Sequence, residues 1–171
     1  KLCVHLADLP EQRFARARQL FTQYRNDENG ANEIAFADGY VTHLLTDFFW
    51  TERVIVQFHK QFPPNLPWEK KRKLYYQETD QNDFDLYYQM PWRKGIWAKL
   101  SETIPGNFGT FLTSGEIAKW RDRVLRWYDD KEKEPKIEPV CISYKKTQNF
   151  INQVSPEIQR ILEEWNYLLK L

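Results

Sequence analysis

The sequence predicts an all-α protein, an irregular bundle of five to seven helices. Apolar residues recur at steps of three and four through most of the chain, which is the spacing of a buried helical stripe. Signals for helix starts precede several of these stretches, and clusters of proline, glycine and asparagine separate them. Residues 140–144 are the one segment that could form a strand, and no neighbouring segment offers it a partner.

The size and composition of the chain fit one domain. A chain of 171 residues is long enough to bury a core, so we predict a single helical domain over residues 1–171. Aromatic residues make up 16% of the chain, and this content argues against disorder. The net charge of +1 predicts no strong overall field towards nucleic acid or membrane, so any basic surface must come from how the helices sort their charges.

The first predicted helix begins where Asp8 can cap it, with Pro10 in its first turn and Glu11 reaching back to the cap. The polar run at residues 26–30 ends it. Its apolar stripe consists of Phe14, Ala17, Phe21 and Tyr24. Its basic residues, with no acid among them, are Arg13, Arg16, Arg18 and Arg25.

The second predicted helix covers residues 31–62 and keeps a helical period throughout. Gly39 interrupts it at a cost of about 1 kcal/mol relative to alanine. Prolines at 63, 64 and 67 end it, because proline cannot continue a helix. Its stripe consists of Ile34, Ala37, Val41, Leu44, Leu45, Phe48, Ile55, Phe58 and Phe62.

The middle of the chain predicts short helices. One runs from Trp68 to Tyr76, residues 77–83 form a polar loop, and residues 84–88 add a turn or two. A further short helix begins at Trp92, and residues 105–109 form a turn. The residues that this helix carries inward are Ile96, Leu100 and Ile104.

The C-terminal part predicts two or three more helices. Thr113 and Glu116 form a capping box that opens a helix, and residues 129–139 form an exposed linker. A helix over residues 144–154 is followed by a last helix that begins at residues 155–157. The helix after the capping box buries Ile117, Trp120, Val124 and Tyr128, and projects Lys119, Arg121, Arg123 and Arg126. The last helix buries Ile158, Ile161, Leu162, Trp165, Leu168 and Leu169.

The two cysteines and the hydropathy pattern indicate a cytoplasmic protein. Cys3 and Cys141 are too isolated for a disulfide framework, so we expect two reduced thiols, with one long-range bridge as the alternative. No apolar run reaches the roughly 20 residues of a membrane span, and no leader pattern opens the chain. Because the chain begins at Lys1, its start was processed or left out, or it is a piece of a longer polypeptide.

The sequence offers no motif for a metal or cofactor. The three histidines, His5, His43 and His59, are too far apart for a local ligand motif. His43 and Asp47 can share a helical face, and a partly buried histidine bonded to its neighbour is the simpler interpretation. Residues 106–109 lack the lysine and hydroxyl of a phosphate-binding loop, so they predict a turn.

Catalytic motifs are absent from the sequence as well. It contains no Gly-x-Ser-x-Gly motif. Two carboxylate pairs, Asp83 with Asp85 and Asp129 with Asp130, lie in polar segments where nothing would raise one pKa selectively. We therefore predict a protein without catalytic activity and without a bound cofactor or metal.

Basic residues interleaved with aromatic rings suggest contact with nucleic-acid backbone. Lysine and arginine neutralise phosphates and aromatic rings stack on bases. The densest run, flanked by Trp68, Tyr75 and Tyr76, consists of Lys70, Lys71, Arg72 and Lys73. Further candidates are Arg93 and Lys94 beside Trp92, Arg13 and Arg16 on the first helix, and Lys119, Arg123 and Arg126 after the capping box. The simpler interpretation is a solvated surface that contacts nothing.

A protein interface is the competing interpretation. Tyrosine, tryptophan and arginine are enriched at interface hot spots, and the chain contains nine tyrosines and seven tryptophans. A core of this length does not need so many rings, so we expect some of them to be exposed for a partner.

The overall pattern resembles a known family. An all-helical chain of this size, with arginine-bearing helices (Arg13 to Arg25, Lys119 to Arg126) and no catalytic residues, resembles the small helical subunits of multi-subunit CRISPR effector complexes. In some of these complexes the small subunit corresponds to the C-terminal helical part of the large subunit. The resemblance implies a non-catalytic role in which copies stack along the complex and contact the guide–target duplex or the displaced strand through backbone charges. Other protein subunits would then be partners, together with RNA or DNA backbone.

Overall fold

The computed structural model describes residues 10–25, 30–109 and 112–169, and these residues form six helices. The predicted all-α bundle of five to seven helices is confirmed. The helices are α1 (Pro10–Gln23), α2 (Ala31–Trp50, continued by a π-helical turn at Thr51–Ile55 and an α-helical turn at Val56–Lys60), α3 (Trp68–Gln89), α4 (Arg93–Glu102), α5 (Ser114–Trp127) and α6 (Tyr144–Leu168). No helix in these residues has both the length and the apolar character that a membrane crossing requires.

The described residues separate into two compact units. Unit one comprises the described residues up to Val56 and from Asn149 onwards, and unit two comprises Gln57–Gln148. The prediction of a single domain over residues 1–171 stays a prediction.

Unit one is built on the α1 stripe that the sequence predicted. Ala17, Phe21 and Tyr24 are buried, and α1 packs against α2. The ring of Trp165 lies 5.4 Å from the ring of Phe14 and 5.7 Å from that of Phe21. Edge-to-face contacts of this kind add about 0.5–1.5 kcal/mol to the burial of the rings. The predicted cap at Asp8 and Glu11 lies outside the described residues and side chains.

Helix α2 continues as predicted but contains an unpredicted π-helical turn. Ala37, Val41, Leu44 and Leu45 are buried, and helical structure ends at Lys60, two residues before the predicted end. The hydroxyl of Thr51, at the start of the π turn, donates to the carbonyl of Asp47 at 2.8 Å and accepts from the Arg13 guanidinium at 3.4 Å. Such side-chain bonds to the preceding turn bend helices, and a π turn widens one locally.

Helix α6 is continuous, so the predicted break at residues 155–157 is wrong. It begins at Tyr144, as predicted, and carries Pro156 in its interior. An interior proline costs about 3 kcal/mol. Phe150, Val154, Ile158 and Trp165 are buried at steps of four, four and seven, so one apolar register passes through the proline. A break would have disrupted that register, which explains why the helix continues.

In unit two, α3 runs unbroken through residues 77–83, so the predicted loop is wrong. The polar residues Glu78, Gln81 and Asn82 suggested a loop, but they lie at helical spacing on one buried face. The carboxylate of Glu78 accepts the backbone N–H groups of Cys141 at 2.9 Å and Ile142 at 2.6 Å. Buried polar groups are tolerated when they are bonded in this way.

The rest of this polar face holds the segment before α6. The Asn82 amide donates to the carbonyl oxygens of Glu78 and Ile142, and the Gln81 side-chain oxygen accepts the Ile137 N–H at 3.2 Å. Residues 140–143 therefore bind to α3 and do not form a strand. Residues 129–139 contain no helix, as predicted for a linker. The backbone N–H of Ile137 nevertheless bonds this segment to Gln81 of α3.

Helices α4 and α5 turn faces inward that the sequence did not predict. Ile96 and Ile104 are exposed, Ile104 to 90%, and on α4 it is Trp97 that contacts the neighbouring rings. On α5, Trp120 is 61% exposed and Val124 is also exposed. The predicted stripe passes through Trp120 and Val124, and a second possible stripe passes through Leu125. Both stripes begin at Ile117 and end at Tyr128. Periodicity alone cannot choose between two stripes that share their ends.

The helix start at α5 is the predicted capping box. The Thr113 hydroxyl accepts the Glu116 N–H at 3.2 Å, and the Glu116 carboxylate accepts the Thr113 N–H at 2.9 Å. These bonds to Thr113 lower the pKa of Glu116, because they favour its charged form.

Candidate nucleic-acid interface

The densest predicted basic run lies in the first two turns of α3. Lys70, Arg72 and Lys73 are exposed and Lys71 is half-buried. Trp68, which begins the helix, is also exposed, and its ring lies 5.4 Å from the imidazole of His59. The first two turns of the helix therefore carry four cations and one acid, Glu69, beside an accessible indole.

One ring in this region is held by one of the cations. The guanidinium of Arg72 lies 5.6 Å from the centre of the exposed Tyr76 ring. A cation over an exposed ring contributes about 0.5–1 kcal/mol. The contact is weak enough for a base or a phosphate to replace it.

The second basic pair begins α4, and its two members differ in environment. Arg93 is half-buried, with its guanidinium 4.4 Å from the centre of the Tyr87 ring. Tyr87 in turn stacks on Tyr128, with 4.4 Å between centroids and 15° between planes. Arg93 is thus part of a ring cluster inside unit two, whereas Lys94 is exposed.

The third group, on α5, is exposed. Lys119, Arg123 and Arg126 all face solvent. Arg123 places its guanidinium 4.9 Å from the ring centre of Trp120 and 5.0 Å from that of Trp127. The Arg126 Nε donates to the carbonyl of Asp122 at 3.1 Å. Sequence reasoning predicted the cations of this group but not the exposure of Trp120.

The two predicted arginines of α1 belong to unit one. Arg13 is half-buried and Arg16 is exposed. The Arg13 guanidinium donates to the hydroxyl of Thr51, so this arginine helps to hold the fold of unit one. The other nine predicted cations all lie in unit two.

These nine cations of unit two form no ion pair within the part of the chain that the structure describes. The ion pairs found there are Arg25–Asp38, His43–Asp47, Arg53–Glu157, Arg121–Asp122 and Lys133–Asp130. Several of them contact aromatic rings or a backbone carbonyl, but no carboxylate pairs with them in these residues, which leaves their positive charge available to an anionic partner.

Four of these cations lie in the first turn of a helix and oppose its dipole. Lys70 and Lys71 follow Glu69 in the first turn of α3, and Arg93 and Lys94 begin α4, which has no acid in its first turn. A helix N-terminus carries partial positive charge, so a cation there is disfavoured by about 0.3–1 kcal/mol at low ionic strength. An anion bound at the same place would be stabilised both by the cations and by the helix end.

The structure also corrects the prediction for the carboxylates. Desolvation, followed by the nearby Asp80 carboxylate, raises the pKa of Asp83 to about 6. Asp80 and Asp83 share a face of α3, whereas Asp85 accepts a hydrogen bond from Gln81. The expectation that nothing in this segment would raise one pKa selectively is therefore wrong. Desolvation, with a like charge nearby, raises the pKa of a carboxyl group in this way without any catalytic role.

The phenol of Tyr128 titrates in the same surroundings. Desolvation raises the pKa of Tyr128 to about 12, and the carboxylates of Asp83 and Asp80 contribute after it. Tyr128 therefore stays a neutral ring at physiological pH and can stack on Tyr87.

Metal-ligating and thiol groups are sparse in the described residues. No three His, Cys, Asp or Glu side chains there are grouped as a metal site. The His43 Nε2 lies 3.4 Å from Asp47 Oδ2, so the two share a face as predicted, but both are exposed. Cys141 is a free thiol whose pKa is raised, first by desolvation and then by Glu78. His5 and Cys3 lie outside the described residues.

The chain was compared with protein-family models, curated proteins and solved structures, and no match was found in any of the three. The resemblance to the small subunits of CRISPR effector complexes therefore stays a prediction.

Proposed function

We propose that this chain is a non-catalytic helical subunit of a larger assembly and contacts the backbone of RNA or DNA. The observation that carries the proposal is the set of nine cations in unit two that form no ion pair among the described residues. Phosphate contacts of this kind supply most of the sequence-independent affinity of nucleic-acid-binding proteins.

The placement of the basic run supports a binding role over a purely structural one. A sequence optimised for stability would keep cations out of the first turns of α3 and α4, whereas this chain places Lys70 and Lys71 after Glu69 in α3, and Arg93 and Lys94 with no acid in α4. Local instability that the fold does not require is typical of functional surfaces.

The test is binding of fluorescein-labelled RNA and DNA oligonucleotides, measured by fluorescence anisotropy at several salt concentrations. The variant reverses four charges together: Lys70→Glu, Lys71→Glu, Arg72→Glu and Lys73→Glu. We expect at least about a tenfold loss of affinity at low salt, and a slope of log affinity against log salt that falls by about three. The thermal midpoint should not fall, because acids at a helix N-terminus are favourable.

A matched control reverses four exposed charges elsewhere in the chain. It carries Lys60→Glu, Lys131→Glu, Lys145→Glu and Arg160→Glu, which change the net charge by the same amount. The control should retain more affinity than the α3 variant. Equal losses would mean that only net charge matters, and absence of binding by the unmodified chain at low salt would overturn the proposal.

The finer proposal is that the assembly is an RNA-guided CRISPR surveillance complex, in which this chain is the small subunit. It is supported by the chain's size, its helical fold and its arginine-bearing helices. A cytoplasmic location and a role in antiviral defence belong to this proposal. Purification of the native chain should recover a guide RNA together with a larger protein subunit, and recovery of proteins without RNA would contradict it.

A structural subunit that binds protein and no nucleic acid is the second candidate. It is favoured by the exposed rings of unit two, which include Trp68, Tyr76, Trp92 and Trp120. Exposed tryptophans beside arginine are also the composition of protein hot spots. The anisotropy test separates the two candidates, because only the first predicts salt-dependent binding of an oligonucleotide.

A further inference from the structure

The exposed face of α5 is a stripe on which tryptophans and an arginine alternate. Residues 116, 120, 123 and 127 follow one another at steps of four, three and four, so Glu116, Trp120, Arg123 and Trp127 share one face. The guanidinium of Arg123 lies about equally far from the two indoles, at 4.9 Å and 5.0 Å from their centres. The two indoles are about 10 Å apart along the helix axis, with the cation between them.

The carboxylates near this stripe already accept hydrogen bonds or pair with other cations. The Glu116 carboxylate is bonded to the N–H and hydroxyl of Thr113 in the capping box. Asp122 lies on the opposite side of the helix, where it accepts two bonds from Arg121. Beyond the helix, Asp130 pairs with Lys133 at 3.1 Å. Within the stripe the ionised Glu116 balances Arg123, so the positive charge of this surface comes from the cations beside the stripe.

Further cations flank the tryptophans. Lys119 and Arg126 lie on one side of the stripe, and the Lys133 ammonium lies 4.5 Å from the centre of the Trp127 ring. On the other side, Trp120, Val124 and Tyr128 line a cleft of about 220 Å³. That volume is below the roughly 300–1,000 Å³ of small-molecule pockets, so the cleft does not enclose a ligand. The whole feature is an open, cationic, ring-bearing surface.

We infer that this stripe, the α5 stripe, binds single-stranded nucleic acid by stacking unpaired bases on Trp120. The inference rests on the proposed function and adds the class of strand that this surface takes. Trp120 is 61% exposed, so its ring is accessible to a base. In a duplex the faces of paired bases are covered by the neighbouring bases. An unpaired base is free to stack on Trp120 and so to extend the series of stacked groups Trp120, Arg123 and Trp127. The adjoining phosphates can then contact Lys119, Arg123 and Arg126.

Charge favours nucleic acid over a peptide on this surface. Lys119, Arg123 and Arg126 form no ion pair among the described residues, so they add phosphate contacts at little desolvation cost. A protein partner would need its own acids spaced against these three cations, and an apolar anchor for Trp120. A single strand supplies both a planar ring and a phosphate in every nucleotide.

The test uses Trp120→Ala in the full chain, with a labelled oligothymidylate and a labelled DNA duplex of the same length. We expect the affinity for the single strand to fall roughly 5- to 150-fold, the range that removal of one stacking residue produces. The affinity for the duplex should change less than about twofold, because its contacts are to phosphates. Trp120→Phe should restore most of the single-strand affinity, whereas Trp120→Leu should not.

The matched control is Tyr167→Ala, which truncates a ring that is 63% exposed on α6 in unit one. It should leave both affinities unchanged. Equal losses with single strand and duplex, or an effect of Tyr167→Ala as large as that of Trp120→Ala, would overturn the stacking inference. If the unmodified chain binds both oligonucleotides and Trp120→Ala changes neither, stacking is wrong and the proposed function stands. If the unmodified chain binds neither, the proposed function itself is wrong, and the α5 stripe is then a surface for a protein.

Discussion

In unit one the guanidinium of Arg25 donates to Asp38 at 2.6 Å and that of Arg53 donates to Glu157 at 2.7 Å. These pairs join residues 13 and 104 positions apart in the chain. In the described residues of unit two, the ion pairs Arg121–Asp122 and Lys133–Asp130 join near neighbours in sequence. Unit one therefore uses arginines to connect its helices, whereas unit two leaves most of its cations to solvent.

Unit two is held together by a different kind of polar contact. Among its described residues the buried charge is the carboxylate of Glu78, which accepts hydrogen bonds from backbone N–H groups and pairs with no cation. A peptide N–H cannot be titrated or displaced by salt as a surface cation can. This arrangement lets the surface of unit two be basic without weakening its interior.

The largest effect we expect is from Glu78→Ala. The variant leaves the N–H groups of Cys141 and Ile142 without their acceptor, and hydrogen bonds to a charged group contribute about 1.5–3 kcal/mol. We expect the free energy of unfolding in urea to fall by about 3 kcal/mol. Gln89→Ala, at the exposed end of the same helix, should change it by less than about 0.5 kcal/mol. Similar results for both variants would mean that the carboxylate does not hold the segment before α6.

The features that the sequence predicted correctly depend on neighbours in the chain. The stripe at Ala17, Phe21 and Tyr24 and the cap formed by Thr113 and Glu116 need only residues a few positions apart. The basic run of α3 was also predictable, because charge and spacing are visible in the sequence. Local patterns were sufficient for the fold class and for the basic residues of the candidate site.

The features that the sequence did not predict depend on distant partners. Glu78 suggested a loop because its partner is Ile142, 64 positions away. The exposure of Trp120 depends on which of two stripes of α5 faces inward, and both stripes contain Ile117 and Tyr128, so spacing in the sequence cannot distinguish them. Pro156 is a strong local signal for a helix start, but the register of buried residues on both sides of it was stronger.

A smaller effect tests the contrast between the arginines directly. Arg25→Ala removes the bonds to Asp38 and to Asn166 and the contact with the Phe21 ring, 4.6 Å from the guanidinium. We expect a loss of about 1–2 kcal/mol in the free energy of unfolding. Arg72→Ala removes only the contact with the exposed Tyr76 ring, and should cost no more than about 0.5–1 kcal/mol. Equal losses in urea denaturation would remove the distinction between the two units.

The smallest expected effect concerns two acids of unit two, Asp80 and Asp83, which lie close together on α3. The pKa of Asp83 is raised from 3.8 to about 6, so its stabilising contribution is complete below pH 3.8 and is lost as the pH rises through 6. Asp83→Asn should therefore stabilise the chain at pH values above about 7, by about 1 kcal/mol after allowance for solvent screening. The gain should shrink as the pH falls towards about 5, measured as the difference in urea midpoints between variant and unmodified chain.

The control for Asp83 has the opposite sign. Hydrogen bonds from Lys133 and from the Glu132 N–H lower the pKa of Asp130, so its contribution is present above pH 3.8 and lost only as the pH falls through the lowered pKa. Asp130→Asn should therefore destabilise the chain, by the same amount at pH values of about 5 and about 7. A gain for Asp83→Asn that does not vary with pH would show that Asp83 is not desolvated in the folded chain. The acids of α3 would then be as freely solvated as its lysines, and the crowding of charge in unit two would be limited to the cations.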